Sequence, residues 1–389
     1  MRVVLLAHDL GEPAEIRWIR ALRGAGMEVE VIGFRKPEGG CPAVPEWSET
    51  TLGPVGHGVG MGRVLALLGA FPRLWAARGT MRRAEVIVAR NLDMALLALV
   101  ARVMAGRAVP LVYQCLDIHG LMLARGAKGR LARWAERRVL ARCMRLLVSA
   151  PRFLSGYFEP MQGYRGRAML VENRIHWPAG PPARPEPRAS VADPLRLGWV
   201  GTLRCPESLR LLTALADLMG PRVRIVMRGI VHRHQLPDFD TVLAGRPNVT
   251  FEGGYAYPHG LAEAYAALDC VWAQDMWQRG GNSDWLWPNR IYEAGFFGCP
   301  CLALADTATG QRIVAEGAGI VFDAPDPVAI AAALLEAGPS LAAISAGLLA
   351  RPVSDFALQD AEVRASVALS DPRPAVRSRA GLRTRRGAG

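Results

Sequence analysis

Residues 282 to 301, NSDWLWPNRIYEAGFFGCPC, combine side chains that bind anions with side chains that form a core. Pro288 suits the first position of a helix, which puts Asn289, Arg290 and Glu293 in its first turns. Arg290 and Glu293 are three residues apart and therefore share one face of that helix. The free N–H groups of a helix N-terminus suit a diphosphate, and the Glu293 carboxylate can accept hydrogen bonds from two ribose hydroxyls. A local Arg–Glu ion pair, worth little at a surface, explains the same spacing equally well.

Further cationic side chains follow strand-like runs in the same half of the chain. The sequence Gly201-Thr202-Leu203-Arg204 comes after the apolar run LRLGWV, and Arg228 comes after VRIVM. Ligands of open α/β sheets bind at the carboxyl ends of the strands. We therefore expect Gly201, Arg204 and Arg228 to lie at one phosphate-binding edge.

Candidate acid–base residues occur in the first half of the chain. Asp117 and His119 follow the apolar run LVYQCL, where they can orient a hydroxyl group or act as a general base. A helix N-cap together with a hydrogen-bonded imidazole explains the same Asp-x-His spacing equally well. Glu12 and Arg17, which follow the first strand-like run, are expected to face the same cleft.

Nicotinamide and metal sites find little support in the sequence. A nicotinamide cofactor requires Gly-x-Gly-x-x-Gly directly after the first strand, but the first turn here is HDLGEPAE. The glycine-rich residues 53–62 have the wrong spacing, and we interpret them as a mobile loop. Asp238 and Asp240 match a metal-binding Asp-x-Asp pattern that is common by chance, and the seven cysteines are too scattered for a zinc site. We therefore expect no metal.

The composition is that of a globular protein with a basic surface. Of 389 residues, 51% are hydrophobic and 21% are charged, and the net charge of +12 favours phosphates and anionic membranes. The arginines are dispersed and match no nucleic-acid-binding module, which argues against nucleic acid as a partner. The apolar run VVLLA is too short for a signal peptide, and no run approaches the ~18 apolar residues of a spanning helix. We expect a cytoplasmic protein that is at most peripheral to the inner face of the plasma membrane.

Strand-like and helix-like runs alternate along both halves of the chain, which predicts an α/β fold whose parallel sheets are covered on both faces. Strands are predicted at residues 3–7, 28–34, 85–89, 110–115, 147–149, 195–200, 223–227, 249–251, 270–273 and 301–305. Helices are predicted at residues 13–25, 92–104, 131–146, 208–218, 260–267 and from 288 onward. The elements form two Rossmann-like, doubly wound domains with a central cleft between their carboxyl edges.

A proline-rich stretch divides the two patterns. Residues 177–194 contain six prolines, a density that neither a helix nor an interior strand tolerates. The predicted organisation is an N-terminal domain at 1–176, this linker, and a C-terminal domain at 195–352. Residues 353–371 have room for a last helix that packs back. The arginine-rich residues 372–389 are predicted to be disordered, either as a solvated tail or as a tail attracted to a membrane.

Several motifs resemble those of GT-B glycosyltransferases of the family-4 type, and more closely the bacterial exopolysaccharide glycosyltransferases of the succinoglycan-biosynthesis type. The resemblance covers residues 1–330, and residues 282–301 are its most specific part. The motifs that carry it are RWIRALRGAGMEVEVIGFRK, VARNLDM, YQCLDIHGLMLARG, VSAPRFLSGYFEP, GWVGTLRCPESLRLL, FEGGY and NSDWLWPNRIYEAGFFGCP. The resemblance implies a GT-B fold with a nucleotide-sugar donor on the C-terminal domain and the acceptor on the N-terminal side.

The resemblance also implies roles for single residues. Glu293 would hold the ribose hydroxyls, while Arg290 and Arg204 would hold the diphosphate. The wider family often has a second, sugar-contacting Glu where this chain has Trp285, so other residues must recognise the sugar. The candidates are Asn282 and Ser283.

The implied activity is transfer of a hexose from a nucleoside diphosphate sugar, similar to UDP-glucose, to a hydroxyl group of a growing, lipid-linked exopolysaccharide. Arginine side chains and a helix N-terminus would stabilise the leaving diphosphate, so neither a metal nor another cofactor is expected. Two basic and apolar segments, residues 61–79 and 130–147, are expected to contact an anionic membrane. Packing of an ordinary helix against the sheet explains residues 130–147 equally well.

Two alternative functions fit part of the pattern. A non-catalytic scaffold of a polysaccharide-synthesis complex is compatible with Trp285 in place of a sugar-contacting Glu. A nucleotide-sugar epimerase of the same fold would need a dense set of acid and base residues around the sugar, and the sequence shows few.

Overall fold

The computed structural model describes residues 1–36, 46–56 and 61–370 of the chain. The tail predicted at 372–389 lies outside the described residues. Of the loop predicted at 53–62, residues 57–60 lie outside the described residues. Its first two residues end a strand, and its last two begin a helix.

The N-terminal domain is built on a parallel sheet of seven strands among the described residues, in the order β3-β2-β1-β4-β5-β6-β7. Its strands are β1 (Arg2–Ala7), β2 (Glu28–Arg35), β3 (Ser48–Pro54), β4 (Val86–Arg90), β5 (Leu111–Cys115), β6 (Arg145–Val148) and β7 (Ala168–Leu170). The helices of this domain are α1 (Pro13–Gly24), α2 (Met61–Gly69), α3 (Phe71–Ala76), α4 (Arg78–Arg83), α5 (Leu92–Ala105), α6 (Gly120–Leu123), α7 (Ala127–Leu140), α8 (Pro151–Phe153) and α9 (Glu159–Gln162), with a π-helical turn at Leu154–Phe158. Strands β4, β5 and β6 are buried along their whole length, as expected for a sheet covered on both faces.

The C-terminal domain repeats the design with a parallel sheet of six described strands, in the order β10-β9-β8-β11-β12-β13. Its strands are β8 (Leu195–Leu203), β9 (Val223–Val231), β10 (Val249–Phe251), β11 (Cys270–Trp272), β12 (Cys301–Leu304) and β13 (Gly319–Phe322). The remaining helices are α10 (Pro206–Met219), α11 (Phe239–Leu243), α12 (Leu261–Ala266), α13 (Asn282–Trp285), α14 (Asn289–Phe296), α15 (Ala308–Glu316), α16 (Pro327–Ala337), α17 (Leu341–Ala350) and α18 (Asp360–Val367).

Each sheet has one topological switch point, where the chain changes the direction in which it adds strands. In the first sheet the switch lies between β1 and β4, because β2 and β3 extend the sheet on the other side of β1. In the second sheet it lies between β8 and β11 for the same reason. Crevices that bind ligands form at the carboxyl ends of the strands at such points.

The C-terminal end of one helix was predicted wrongly. The helix predicted at 131–146 ends at Leu140, and Arg145 already begins β6. The run RLLV, of Arg145 and three apolar residues, is too short for its periodicity to distinguish a buried strand from a helix. The charge of Arg145 is accommodated in this buried strand because its guanidinium donates to the carbonyl oxygens of Ala365 and Ser366, at the end of α18.

Strands β8 and β9 are longer than predicted. β8 runs to Leu203 and β9 to Val231, and the two remain paired up to those residues. Gly201 and Arg228 therefore lie inside strands rather than after them. Pairing continues because neither strand meets a proline or a turn sequence before the cleft.

The chain returns to the N-terminal domain at its C-terminal end. Val363 and Val367 of α18 pack into the same hydrophobic cluster as Trp18 of α1. A parallel bridge joins Ile175 to Ala357 just before α18 begins. The C-terminal helix thus belongs by packing to the first domain.

The proline-rich residues 177–194 are fixed to the C-terminal domain. The Arg184 guanidinium donates to the carbonyl oxygens of Phe296, Leu348, Leu349 and Arg351 at 2.7 to 3.0 Å. These carbonyls lie at or just after the C-terminal ends of α14 and α17, where the last turn of a helix offers carbonyl oxygens to outside donors. One arginine therefore completes two helix termini.

Among the described residues, one helical stretch is long enough and apolar enough to cross a membrane, judged by length and composition alone. It is Pro327–Ala350, and 33% of its most apolar segment of 18 residues is buried. Ile330, Leu334 and Leu341 of this stretch pack into the core cluster of the second sheet. A turn at Gly338–Ser340 separates its two helices, α16 and α17.

Candidate functional site

Arg290 is anchored at the switch point of the second sheet. Its Nε donates to the carbonyl oxygen of Val200 at 2.6 Å, and Nη1 donates to that of Trp272 at 3.3 Å. The guanidinium therefore spans the crevice between β8 and β11. Pro288 is the N-cap residue of α14 rather than its first helical residue, so the helix begins one residue later than predicted, at Asn289. The start of this helix delivers a fixed cation to the ligand-binding edge.

Glu293 lies one turn further along α14 and is buried. Its carboxylate accepts a hydrogen bond from the Tyr265 hydroxyl at 3.1 Å. Burial raises the pKa of Glu293, while Arg17, the Tyr265 hydrogen bond and Arg290 act to lower it. Within the described residues Arg290 contacts carbonyl groups and Glu293 contacts Tyr265, so the local ion pair considered from the sequence does not form.

Arg17 brings a charge from the other domain to this place. It lies on α1, is 8% exposed, and donates to the Tyr257 hydroxyl at 3.4 Å across the cleft. Its charge acts on Glu293 more strongly than that of Arg290 does. The cleft is thus lined from both sides by side chains that act on one carboxylate.

Two paired glycines lie on the strands beside Arg290. Gly201 and Gly229 are paired on β8 and β9 and have φ angles of +105° and +138°. A Cβ on Gly229 would stand 1.8 Å from the Gly201 carbonyl oxygen, so no side chain fits there. A Cβ on Gly201 would approach nothing nearer than 3.9 Å, the distance to the Nε of Arg290. The backbone at Gly201 is therefore open to a ligand next to a fixed cation.

Arg204 and Arg228 differ in how much of their charge is already neutralised. Arg228 donates to Glu263 at 2.7 Å and lies 3.9 Å from Glu252, and its side chain is largely buried. Arg204 is more exposed, and its Nη2 lies 3.9 Å from the Asp275 carboxylate. Of the two, Arg204 is the cation that a ligand in the cleft can reach.

Asn282 joins the two domains. Its Oδ1 accepts from the N–H of Ile118 at 2.7 Å, and its Nδ2 donates to the Asp117 carboxylate at 3.0 Å. The neighbouring Ser283 hydroxyl is directed to Asp275 at 2.8 Å. Both side chains considered for sugar recognition are thus engaged in contacts within the protein. Asn282 contacts the N-terminal domain, and Ser283 contacts Asp275.

Trp285 also contacts the opposite domain. A Cβ on Gly156, in the π-helical turn, would stand 3.2 Å from the Trp285 ring. Trp285 and Leu286 join the hydrophobic cluster of the N-terminal domain. The position expected to hold a sugar-contacting Glu therefore packs the short helix α13 against the first domain.

His119 caps α6. Its Nδ1 accepts from the backbone N–H of Leu121 at 3.1 Å, which is the N-cap arrangement considered from the sequence. Asp117 precedes it at the cleft. Enclosure of its carboxyl group raises the pKa of Asp117, while the hydrogen bond from Asn282 and the charge of Arg204 lower it.

Glu12 and Asn289 lie at helix starts near the cleft. Glu12 is the N-cap residue of α1, and its charge acts on the imidazole of His8. Asn289 is the first residue of α14 and is partly exposed.

His8 is a cleft residue that the sequence analysis did not select. It follows β1 directly, and its Nδ1 lies 2.9 Å from Oε1 of Glu15. Oε2 of Glu15 in turn accepts from Nη1 of Arg90 at 3.0 Å. Burial lowers the pKa of His8, but Glu15, with Asp93 and Glu12, outweighs this effect and raises it above its ordinary value. A signal was present, since a histidine directly after the first strand and a glutamate in the first turn of the next helix reach the same edge.

Comparisons with known proteins match this architecture. Residues 17–174 match the family model described as a glycosyl transferase 4-like domain. The succinoglycan biosynthesis protein ExoL of Rhizobium meliloti (strain 1021) is 34% identical over 359 residues, which cover 90% of this chain and 88% of that protein.

Solved structures share the fold at low sequence identity. Anabaena Alr3699/HepE in complex with UDP superposes with a TM-score of 0.63 at 15% identity, over 93% of this chain and 97% of that one. WaaG, a glycosyltransferase involved in lipopolysaccharide biosynthesis, gives a TM-score of 0.61 at 14% identity, over 95% and 100% of the two chains. The expected GT-B fold, with two parallel-sheet domains, is confirmed. Because the relationship to ExoL extends over nearly the whole chain, this protein belongs to the GT-B glycosyltransferases of the family-4-like type, in the family that includes that succinoglycan biosynthesis protein.

Proposed function

We propose that this glycosyltransferase moves a hexose from a nucleoside diphosphate sugar, similar to UDP-glucose, to a hydroxyl group of a growing, lipid-linked exopolysaccharide. The relative ExoL is named for succinoglycan biosynthesis. The structural neighbour HepE has been solved with UDP-glucose and with UDP and glucose. Both facts concern those proteins, and they support a nucleotide-sugar donor and a polysaccharide acceptor here.

The observation that carries the proposal is the arrangement of Arg290, Gly201 and Glu293 at one switch point. Arg290 is fixed by backbone carbonyls, so little side-chain entropy is lost when it binds an anion. The open backbone at Gly201 lets a phosphate approach closely. Glu293, one turn along the same helix, presents a carboxylate to a neighbouring ribose.

The charge of the leaving diphosphate is assigned to protein groups in this proposal. Arg290, Arg204 and the N-terminus of α14 point partial or full positive charge at the place where negative charge develops. Because these groups are held before the donor binds, they need no reorganisation during the reaction. The proposed reaction therefore requires no metal ion.

A binding panel tests the donor site. We expect the protein to bind one of UDP-, GDP- or ADP-glucose in calorimetric titrations, and Arg290→Ala and Glu293→Ala to weaken that binding by about tenfold or more through loss of charge-assisted hydrogen bonds. The control is Arg246→Ala, which removes a partly exposed arginine paired with Asp217 at 2.8 Å, at the amino ends of the strands. Absence of binding to every donor by the parent protein contradicts the proposed function. Unchanged binding in both site variants places the donor elsewhere.

The proposed acceptor is bound to a membrane, and the N-terminal domain has a surface suited to an anionic bilayer. Large apolar side chains are exposed on α2, α3 and α7, which cover the same face of the first sheet. They are Val64, Leu65, Leu68, Phe71, Trp75, Leu131 and Trp134. Arg78 stacks over the Trp75 ring at 4.8 Å, and Arg138 over the Trp134 ring at 5.0 Å. Exposed rings beside arginines are typical of proteins that bind the interface of anionic membranes.

The sequence left open whether residues 130–147 only pack on the sheet. In the structure α7 packs on the sheet through the buried Val139 and Leu140, and it leaves Leu131 64% and Trp134 50% exposed. The exposed apolar side therefore remains available for a membrane.

Vesicle flotation tests this surface. We expect the protein to float with vesicles that contain phosphatidylglycerol, to float less at high salt because the arginine contribution is screened, and to stay in solution with pure phosphatidylcholine. Leu65→Ser with Trp75→Ser should reduce flotation severalfold and leave donor binding unchanged. Flotation that is equal for the parent and the double variant, or absent for both, contradicts the assignment.

A further inference from the structure

Arg17 is a buried cation of the N-terminal domain without a salt-bridge partner. It lies on α1, is 8% exposed, and forms no ion pair within the described residues. Two other basic side chains feel its charge. Burial lowers the pKa of Arg90 and of His176, and repulsion from Arg17 lowers both further. A buried cation among like charges is costly unless polar or negative groups compensate it.

The compensating partners of Arg17 lie across the cleft, in the C-terminal domain. Its Nη1 donates to the Tyr257 hydroxyl at 3.4 Å. The Tyr257 ring packs against the hydrophobic cluster that includes Ile291 of α14. The charge of Arg17 is also the strongest of those that act on the buried Glu293 of the same helix. Arg17 is therefore linked by geometry and by charge to the helix that carries the donor-site carboxylate.

The ionised form of Glu293 depends on few groups. Within the described residues, the charged or titratable side chains that act on it or respond to it come from α1, the segment after β10, α12 and α14. They are Arg17, Tyr255, Tyr257, Tyr265 and Arg290. The tyrosines are neutral, because burial and the negative charge of Glu293 raise their pKa. Only the two arginines supply positive charge, and Arg290 also donates to backbone carbonyls.

We propose that Arg17 is a positioning residue for the ribose of the donor, because its charge keeps Glu293 in the ionised form that accepts hydrogen bonds from the ribose hydroxyls. This inference rests on the proposed function, in which Glu293 binds the ribose. A protonated carboxyl group gives up part of its acceptor capacity, and hydrogen bonds to a neutral group are weaker than those to a carboxylate. Arg17 acts through Glu293 in this scheme and does not touch the nucleotide.

The position of Arg17 also couples ribose binding to closure of the cleft. Arg17 belongs to the N-terminal domain, whereas Glu293 and Tyr257 belong to the C-terminal domain. Opening of the cleft would withdraw the charge of Arg17 and leave Glu293 with Arg290 as its cation. The affinity for ribose is therefore greater in the closed form, and by linkage a bound nucleotide favours closure to the same extent.

Calorimetric titration across a pH series tests the inference. The probes are UDP, GDP or ADP, whichever the parent binds most tightly, and the 2′,3′-dideoxy form of that nucleotide, which lacks both ribose hydroxyls. We expect the parent to prefer the ribose form and to lose this preference as the pH falls and Glu293 takes up a proton. In Arg17→Gln the midpoint of this loss should lie about one pH unit or more higher, because removal of the cation raises the pKa of Glu293.

Further variants separate the charge of Arg17 from its shape. Arg17→Lys keeps the charge, and its midpoint should lie closer to that of the parent than to that of Arg17→Gln. Arg20→Gln makes the same change one turn along α1, at an arginine paired with Glu46 at 3.0 Å, and should leave the midpoint unchanged. Tyr257→Phe removes the hydroxyl that Arg17 contacts and should shift the midpoint in the same direction as Arg17→Gln. Binding of the dideoxy nucleotide should stay within about twofold of the parent in every variant, which also shows that the variant is folded.

Each outcome supports or overturns the inference. An unshifted midpoint in Arg17→Gln contradicts it, and if that variant does not fold, an unshifted midpoint in Tyr257→Phe does so instead. Equal, pH-independent weakening of both nucleotides would make Arg17 a direct ligand of the phosphates and would also overturn it. A parent that binds nucleotides without preference for the ribose form contradicts the inference together with the role of Glu293. A parent that binds none of the three nucleotides refutes the proposed function itself.

Discussion

At the scale of single residues, both switch points hold a charged or polar side chain by fixed internal contacts. Arg290 is fixed by the carbonyl oxygens of Val200 and Trp272, and His8 by the buried pair of Glu15 and Arg90. Groups that are oriented before the substrate binds stabilise a transition state more effectively than groups that must reorient. Arg290, which we assign to stabilising the leaving group, is therefore held in place before the donor binds.

The residue positions that sequence could supply were local ones. Pro288, Arg290 and Glu293 could be placed because a helix start and its first turns depend on a few neighbouring residues. The contact of Asn282 with Asp117 joins positions far apart in the chain and depends on how two domains meet, so no local pattern predicts it. His8 was missed for the same reason, since its significance comes from Arg90 as well as from Glu15.

At the scale of elements, the short helix α13 brings the two domains together. Asn282 binds the backbone of Ile118, and the Trp285 ring packs on Gly156. α14 follows after three residues, so the helix that carries Arg290 and Glu293 is tied to the interdomain contact. Closure of the cleft and the position of the donor-binding helix are therefore coupled through one short segment.

Replacing Trp285 tests this coupling. Trp285→Ala removes an interdomain packing contact and should lower the free energy of unfolding by about 2 kcal/mol, while exposing α6 and α13 to faster hydrogen exchange. Trp134→Ala, at an exposed tryptophan on α7, is the matched control and should change stability by less than about 0.5 kcal/mol. Equal exchange rates at α13 in the parent and Trp285→Ala would show that α13 does not hold the domains.

Elements were predicted well where glycine or polar residues closely follow the apolar pattern, and poorly where the sequence gives no such signal. The helix α1 and the strands β1, β5 and β10 lie within one or two residues of their predicted ends. The end of α7 was wrong because the strand after it, RLLV, is only four residues long and shows no clear period. The extension of β8 and β9 into the cleft depends on pairing between the strands, which single-sequence periodicity does not report.

At the scale of the whole molecule, each domain contributes one function to the cleft. The C-terminal sheet offers a fixed cation and an open backbone, and the N-terminal sheet offers a histidine with a buried carboxylate partner. The exposed apolar side chains of α2, α3 and α7 lie on the N-terminal domain, the side on which the acceptor is proposed to bind. A lipid-linked acceptor held at the membrane would thus reach the cleft from the side of the N-terminal domain.

Transfer of radiolabelled glucose from UDP-glucose into lipid-extractable material tests the central proposal most directly. The purified protein is incubated with the labelled donor and with membranes that contain the lipid-linked acceptor, and the label in the organic phase is counted. The account predicts transfer by the parent and by Arg246→Ala, and loss of transfer in Arg290→Ala. Binding of UDP-glucose without any transfer of label, or equal transfer by the parent and Arg290→Ala, would contradict it.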